Sequence, residues 1–468
     1  MTDDAGEAMS SRLFSPAPSG FRGLIGVARQ DITPPVGIFA RSWGAATHEA
    51  AEGIHRPLTL TCLTFQATAD DEPLVLIGAD LGWWRSNEDE WAIRGPVLET
   101  MKLDAARLMI CLSHTHAGPG LQVENASRAG GHLIEPYQAM LRDAALRAIR
   151  QALESTQPAM LTWRYGRCDL ATNRDLPDPN SERIVVGYNP ANPADDTLLV
   201  GRVAARDGDV LATIVNYACH PTTLAWQNRL ISPDFLGAMR EVIEAHTCAP
   251  CLFLQGASGE LAPAEQYSGD TKLADRHGRR LGFAVMAALE AMDRPGERLA
   301  FEQVVESGAA LAVWRPTAFP PPTALAAALH DVEYELKPLP SVGEIEQQWR
   351  ETTDPVLKER LWRKRGMRRV VGDGTTTHMP LWVWRLGDST LVGQPLEAYS
   401  RLQIELRASF APHAVAVMNI VNGSAGYLAP AEMYERDIYQ VWQAPYARGS
   451  LERLIAAATM AVEQILAR

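Results

Sequence analysis

Two kinds of hydrophobic pattern alternate along the chain. Leu58 to Phe65, Leu74 to Ile77, Leu108 to Leu112, Thr197 to Ala204, Val210 to Tyr217 and Leu252 to Leu254 are short, almost continuously apolar runs bounded by turn residues, and they predict strands. Trp91 to Thr100, Tyr137 to Glu154, Phe235 to His246 and Lys272 to Met292 carry helical periodicity instead. This alternation predicts an α/β fold, a mixed β-sheet core covered by helices. Beyond Pro320-Pro321-Pro322, a stiff connector, helix-favouring sequence runs to Lys364-Arg365-Gly366-Met367-Arg368-Arg369 and predicts an inserted helical hairpin over residues 319–370. Strands follow at Leu381 to Leu386 and Thr390 to Val392, then a helix at Leu396 to Ala408, a strand at Ala414 to Val421 and a last helix at Ser450 to Leu466. Residues 1–20, rich in Ser, Pro and Gly, predict a flexible tail, and residues 21–468 one folded unit.

Composition narrows the function classes. Across 468 residues, 44 Lys+Arg face 56 Asp+Glu, a net charge of -12 that argues against binding nucleic acid or anionic membrane surfaces. No run approaches the roughly 18 apolar residues of a membrane span, and the acidic N-terminus lacks the regions of a signal peptide, so a cytoplasmic protein is expected. Six cysteines are too sparse for a disulfide scaffold. Cys248-Ala249-Pro250-Cys251 has redox or half-zinc spacing, but it feeds a strand and has no second pair, which favours core cysteines. The basic run at 364–369 reads as a solvated helix face balancing Glu344, Glu346 and Glu351.

The sharpest local feature is Ser113-His114-Thr115-His116-Ala117-Gly118-Pro119-Gly120, directly after a predicted strand. In an extended segment alternate side chains point the same way, so His114 and His116 can converge, and such pairs often form half of a zinc site. His220, in Cys219-His220-Pro221, also ends a strand and is the best third candidate. Asp80 ends an apolar strand and could orient a ligating histidine, whereas Asp234 suits a helix cap. Glu397 opens the helix expected at Leu396, as a first-turn acid or as a ligand; the residues alone leave both open.

Taken in order, Gly26 to Pro34, the Asp80 strand, His114 to Pro119, His220-Pro221-Thr222, Gly393 to Glu397 and Gly423 to Tyr427 resemble the neutral (non-lysosomal) ceramidase family, in its catalytic N-terminal domain only. The resemblance spans about residues 24 to 440. It implies hydrolysis of an amide bond with one Zn2+ per chain held by His114, His220, Glu397 and Tyr427, with His116 acting on substrate beside the metal and Arg174 lining the site. Two departures stand out. The family's Gly-Asp-Val-Ser-Pro-Asn hexapeptide is here Gly259-Glu260-Leu261-Ala262-Pro263-Ala264, so its serine is Ala262. No counterpart of the family's immunoglobulin-like C-terminal domain is expected after the last helix.

A serine nucleophile at position 262 is thereby excluded, and a metal-water mechanism remains. Bound zinc lowers the pKa of water from about 15.7 to about 7. His116 would then move the proton, and zinc with Tyr427, His116 or Arg174 would stabilise the oxyanion. The substrate is expected to be a small or lipid-like N-acyl compound, ceramide or a related amide, with another amide, ester or lactone as the alternative, and a catalytically inactive metal-binding homologue as a third. Trp43, Trp83, Trp84 and Trp226 suit either an acyl-chain pocket or the core.

Overall fold

In the computed structural model, which describes residues 14–468, two sheets lie face to face between layers of helices. The larger has eight strands: β1 (Gly20–Asp31), β2 (Thr59–Gln66), β3 (Leu74–Ala79), β4 (Leu108–Leu112), β5 (Gln157–Arg167), β6 (Thr197–Ala205), β7 (Val210–Tyr217) and β8 (Cys251–Gln255). Their order is β8-β7-β6-β5-β1-β2-β3-β4. Only the edge pairs β7–β8 and β3–β4 are parallel. Burial on both faces explains the unbroken apolar runs. Val75 and Ile77 of β3 pack towards α1 (Asn87–Met101) and α2 (Ile134–Glu154), whereas Leu74 and Leu76 pack against the second sheet. Likewise Cys251 and Phe253 of β8 meet α3 (Leu236–Thr247) and α4 (Thr271–Glu290), and Leu252 and Leu254 face the second sheet.

The second sheet contains β9 (Leu325–Glu335), β10 (Thr376–Leu386), β11 (Ser389–Gly393) and β12 (Val415–Met418), in that order, with β11–β12 parallel. Trp382 and Trp384 of β10 fill the space between the sheets, and their indole N–H groups donate to the Ala105 and Ala106 carbonyls at 2.9 and 2.6 Å. Between β9 and β10 stands a helical hairpin, α5 (Val342–Glu351) and α6 (Pro355–Val371). Ser341 and Glu344 form a capping box at the start of α5. Asp354 accepts from the Leu357 N–H at the start of α6, where Pro355 supplies the pre-set φ of a first helical residue. The outer face of the second sheet is covered by α7 (Arg401–Ser409) and α8 (Ser450–Leu466).

Three expectations change. The helical insertion predicted over 319–370 begins with strand β9, paired residue by residue with β10, so the helical hairpin is confined to residues 342–371. Residues 396–400 are not helical: Glu397–Ala398 pairs in parallel with Tyr427–Leu428, and α7 starts at Arg401. Of the predicted tail, residues 1–13 lie outside the described residues, while Phe14 bridges Ala300 and Ser19 accepts the Ala414 N–H. Among the described residues no helix is long and apolar enough to cross a membrane.

Two features bring the strand ends together. The large sheet curls until β8 meets β3: a Cβ on Gly78 would sit 2.9 Å from the Phe253 carbonyl. The segment after β12 then runs along the outer edge of β4. Asn422 accepts the Ile110 N–H and donates to the Leu108 carbonyl, and Leu112 N–H donates to the Ile420 carbonyl. Ile420 and Asn422 reach this edge with φ of 57° and 50°.

Candidate metal centre

His114 follows β4 but is not extended. Its φ is 67°, so it meets His116 through a turn rather than by the strand alternation expected from sequence. The conformation is held by the His114 N–H donating to the Leu81 carbonyl at 2.9 Å. Its Nδ1 faces the Gly82 carbonyl at 3.2 Å, and its Nε2 lies 3.3 Å from Glu397 Oε2. His220, after β7, has Nδ1 2.7 Å from the Ser258 carbonyl and Nε2 3.2 Å from the same Glu397 oxygen. Tyr427 is brought beside Glu397 by the short parallel pair and accepts from Arg174 at 3.3 Å. Arg174 is 4% exposed and is anchored by donating twice to the Gly259 carbonyl, at 2.6 and 3.1 Å.

The protonation pattern identifies what the cluster lacks. A carbonyl only accepts, so each Nδ1 carries a proton, and in its neutral form each ring turns an Nε2 lone pair towards Glu397. Burial, reinforced by Arg174, pushes His220 down to about 3, so at neutral pH this ring does not supply the missing proton. Burial would raise Glu397; positive charge at the His114–His220 end of the cluster lowers it well below the usual carboxylate range, so it is ionised when such a charge is held there. Burial and Glu397 push the Tyr427 phenol well above its usual value. Two imidazole lone pairs and a carboxylate oxygen therefore converge with no donor between them. A cation satisfies all three, and two nitrogens, a carboxylate and a phenol suit zinc or a similar divalent ion.

His116 sits beside this cluster, its ring 4.7 Å from Trp83 and 5.1 Å from Trp43, and its buried Nε2 has no hydrogen-bond partner. Burial, with His114 and His220, holds it well below the usual histidine value. The ring nitrogens of His114, His116 and His220 lie within 4.8 Å of one another, so this trio could also hold a metal ion.

Other candidates take different places. Asp80 orients no ligand: it accepts from both guanidinium nitrogens of the buried Arg240 and from the Thr59 N–H and hydroxyl. Asp234 does not cap α3, whose N-cap Phe235 has no side-chain cap; it accepts from the Phe235 and Leu224 N–H groups and ties the two loops together. Ala262 is a buried strand residue, and the Ser258 hydroxyl accepts from Gln255. Trp84 is core, whereas Trp43, Trp83 and Trp226 line cavities beside the histidines. Cys248 is exposed at the end of α3 and Cys251 buried in β8, both free. Arg365 and Arg368, expected on a solvated face, are buried, although Arg369 does pair with Glu346. The Gly82 and Ser258 carbonyls were not anticipated, because backbone acceptors leave no mark on residue type.

Comparison with known proteins agrees with this geometry. Residues 24–252 match the family model described as neutral/alkaline non-lysosomal ceramidase, N-terminal. The neutral ceramidase of Pseudomonas aeruginosa is 26% identical over 223 residues, which is 45% of this chain and 32% of that protein. A crystal structure of that ceramidase superposes with a TM-score of 0.67 at 18% identity, covering 96% of this chain and 75% of the other; a ceramidase complexed with C2 superposes equally well. Residues 24–252, just under half of the chain, therefore match the neutral/alkaline non-lysosomal ceramidase family, and the described chain as a whole has the fold of the Pseudomonas aeruginosa neutral ceramidase.

Proposed function

We propose that the chain is a zinc-dependent hydrolase of a linear amide, ceramide or a related lipid-like N-acyl amide, with His114, His220, Glu397 and Tyr427 as ligands. The observation that carries this reading is the meeting of two Nε2 lone pairs on one carboxylate oxygen. When bound, a divalent cation supplies Lewis acidity, polarising a carbonyl and acidifying water near neutral pH. The protein's own groups do the rest. The Gly82 and Ser258 carbonyls fix ring orientation, as partners behind a ligand do. Arg174 holds the Tyr427 phenol against the site, where it steadies the developing oxyanion. His116, with its free Nε2, takes the proton of the attacking water and delivers it to the leaving nitrogen as the C–N bond breaks.

Metal content by elemental analysis, beside hydrolysis of short-chain ceramide and simple N-acyl amides, tests this. The wild type is expected to hold about one zinc per chain, and His114→Ala to lose both metal and activity. Wild type without metal after zinc loading would sink the proposal. The closeness of the three histidines favours a second ligand set that includes His116. In the His116→Ala variant, retained zinc with a rate lower by roughly 10²–10⁴-fold supports the first set; lost zinc supports the second.

A further inference from the structure

Two cavities open beside the metal centre, an inner one of about 530 Å³ that reaches Glu397 and an outer one of about 1090 Å³. Arg85, Trp362 and Arg363 line both. Of the four guanidinium groups in the inner cavity, three face carboxylates: Arg363 pairs with Glu359, Arg368 with Asp373 and Arg369 with Glu346. Arg85 has no ion-pair or hydrogen-bond partner among the described residues. Its guanidinium carbon instead lies over two indoles, 5.1 Å from the centre of Trp83 and 4.4 Å from that of Trp362. Of the acids around it, Glu124 pairs with Arg365, and Asp89 accepts from Gln138 and the Val123 N–H. Glu359, which acts on Arg85 by charge, is bonded to Arg363, and Glu88 is exposed.

A half-buried guanidinium without a hydrogen-bonded counterion is costly in a fold that pairs its neighbours so consistently. Burial, then the charge of Arg363, pushes it down to about 9, which leaves it a cation at neutral pH. Stacking engages guanidinium faces and keeps the N–H edge free for a planar anion. Trp83 is the bridge: its ring carries the Arg85 guanidinium and lies 4.7 Å from the His116 ring.

Resting on the amide-hydrolase reading above, we propose that Arg85 binds an anionic group on the amine portion of the substrate, so that the preferred substrates are N-acyl amino acids or their sulfonate analogues rather than neutral amides. The side of the charge follows from His116, which serves the leaving nitrogen and lies one indole from Arg85. The acyl chain then runs on the far side of the scissile bond.

Rates on N-octanoylglycine, on N-octanoylethanolamine and on an amide with the carboxylate at the far end of its acyl chain test this. In the zinc-loaded wild type, kcat/KM for the glycine conjugate should exceed the other two by roughly 10- to 100-fold, the effect of a charge-assisted hydrogen-bonded pair. That ratio should fall towards one in Arg85→Leu and recover in part in Arg85→Lys. A wild-type ratio at or below one, an unchanged ratio in Arg85→Leu, or equal losses on all three substrates (a purely structural pin between Trp83 and Trp362) would each overturn the proposal. A preference for the chain-end carboxylate would overturn the assigned side. Should no compound be turned over, the hydrolase reading fails, and equilibrium binding of N-octanoylglycine to wild type and Arg85→Leu decides the anion site independently. Weakening in the variant upholds it, and equal binding overturns it.

Discussion

The candidate metal centre and the wall above it are built by opposite means. The centre is formed by loops leaving β4, β7, β11 and β12, and its side chains are almost wholly buried and tied to backbone carbonyls or to Arg174. The wall is the α5–α6 hairpin, whose α5 has only Ile345 buried and whose exposed face is laced by arginine–carboxylate pairs within the hairpin itself. Buried, hydrogen-bonded groups give a fixed geometry, as chemistry at a metal requires. Exposed ion pairs contribute little each and are readily exchanged, which suits a surface that chooses among substrates.

That contrast can be broken or sharpened. The largest stability effect is expected at Asp80, whose loss strands the buried Arg240 beneath the turn that carries His114. Asp80→Ala should cost about 3–5 kcal/mol in chemical denaturation, with a fall in zinc occupancy. A loss under about 1 kcal/mol would show the pair to be dispensable. An intermediate effect is expected at Glu260, whose carboxylate accepts the Ser400 N–H at 3.0 Å behind the site. Burial raises it from 4.5 to about 7, so the folded state binds the proton more tightly than the unfolded chain does. Its contribution to stability is fully present below the ordinary carboxylate value and is lost as pH rises through about 7. Urea midpoints should therefore decline across this window in the wild type and decline less in Glu260→Gln; identical slopes would contradict the assignment. The smallest effect belongs to the wall. Glu346→Ala, which removes the partner of Arg369, should cost no more than about 1 kcal/mol and leave zinc content unchanged. A larger loss would make the hairpin part of the rigid frame.

Much of the frame was legible because doubly buried strands write continuous apolar runs. Leu108 to Leu112 and Val210 to Tyr217 coincide with β4 and β7 to the residue. The same signal hid the two-sheet arrangement, since a run buried on both faces does not say whether a helix or a second sheet covers it. Strand β9 was obscured by its opening Leu325-Ala-Ala-Ala-Leu329, good helix-forming sequence overridden by pairing with β10 along its whole length. In the site, His114, His220, Glu397 and Tyr427 were recoverable from ordered motifs, and the structure brings them together. The left-handed turn at His114 was not foreseen, because a non-glycine residue at positive φ has no sequence signature. Nothing in the sequence singles out Arg85; the two indoles under its guanidinium come together only in the fold.

The stretch from Asn419 to Asn422 carries a burden beyond placing Tyr427. By bonding along β4 it covers the outermost strand of the large sheet, whose peptide groups would otherwise be open to pairing with another chain. Shortening or grafting this loop to reshape the candidate site is therefore expected to cause aggregation before it changes the cluster itself. Redesign is better directed at the α5–α6 hairpin, where no sheet edge depends on the outcome.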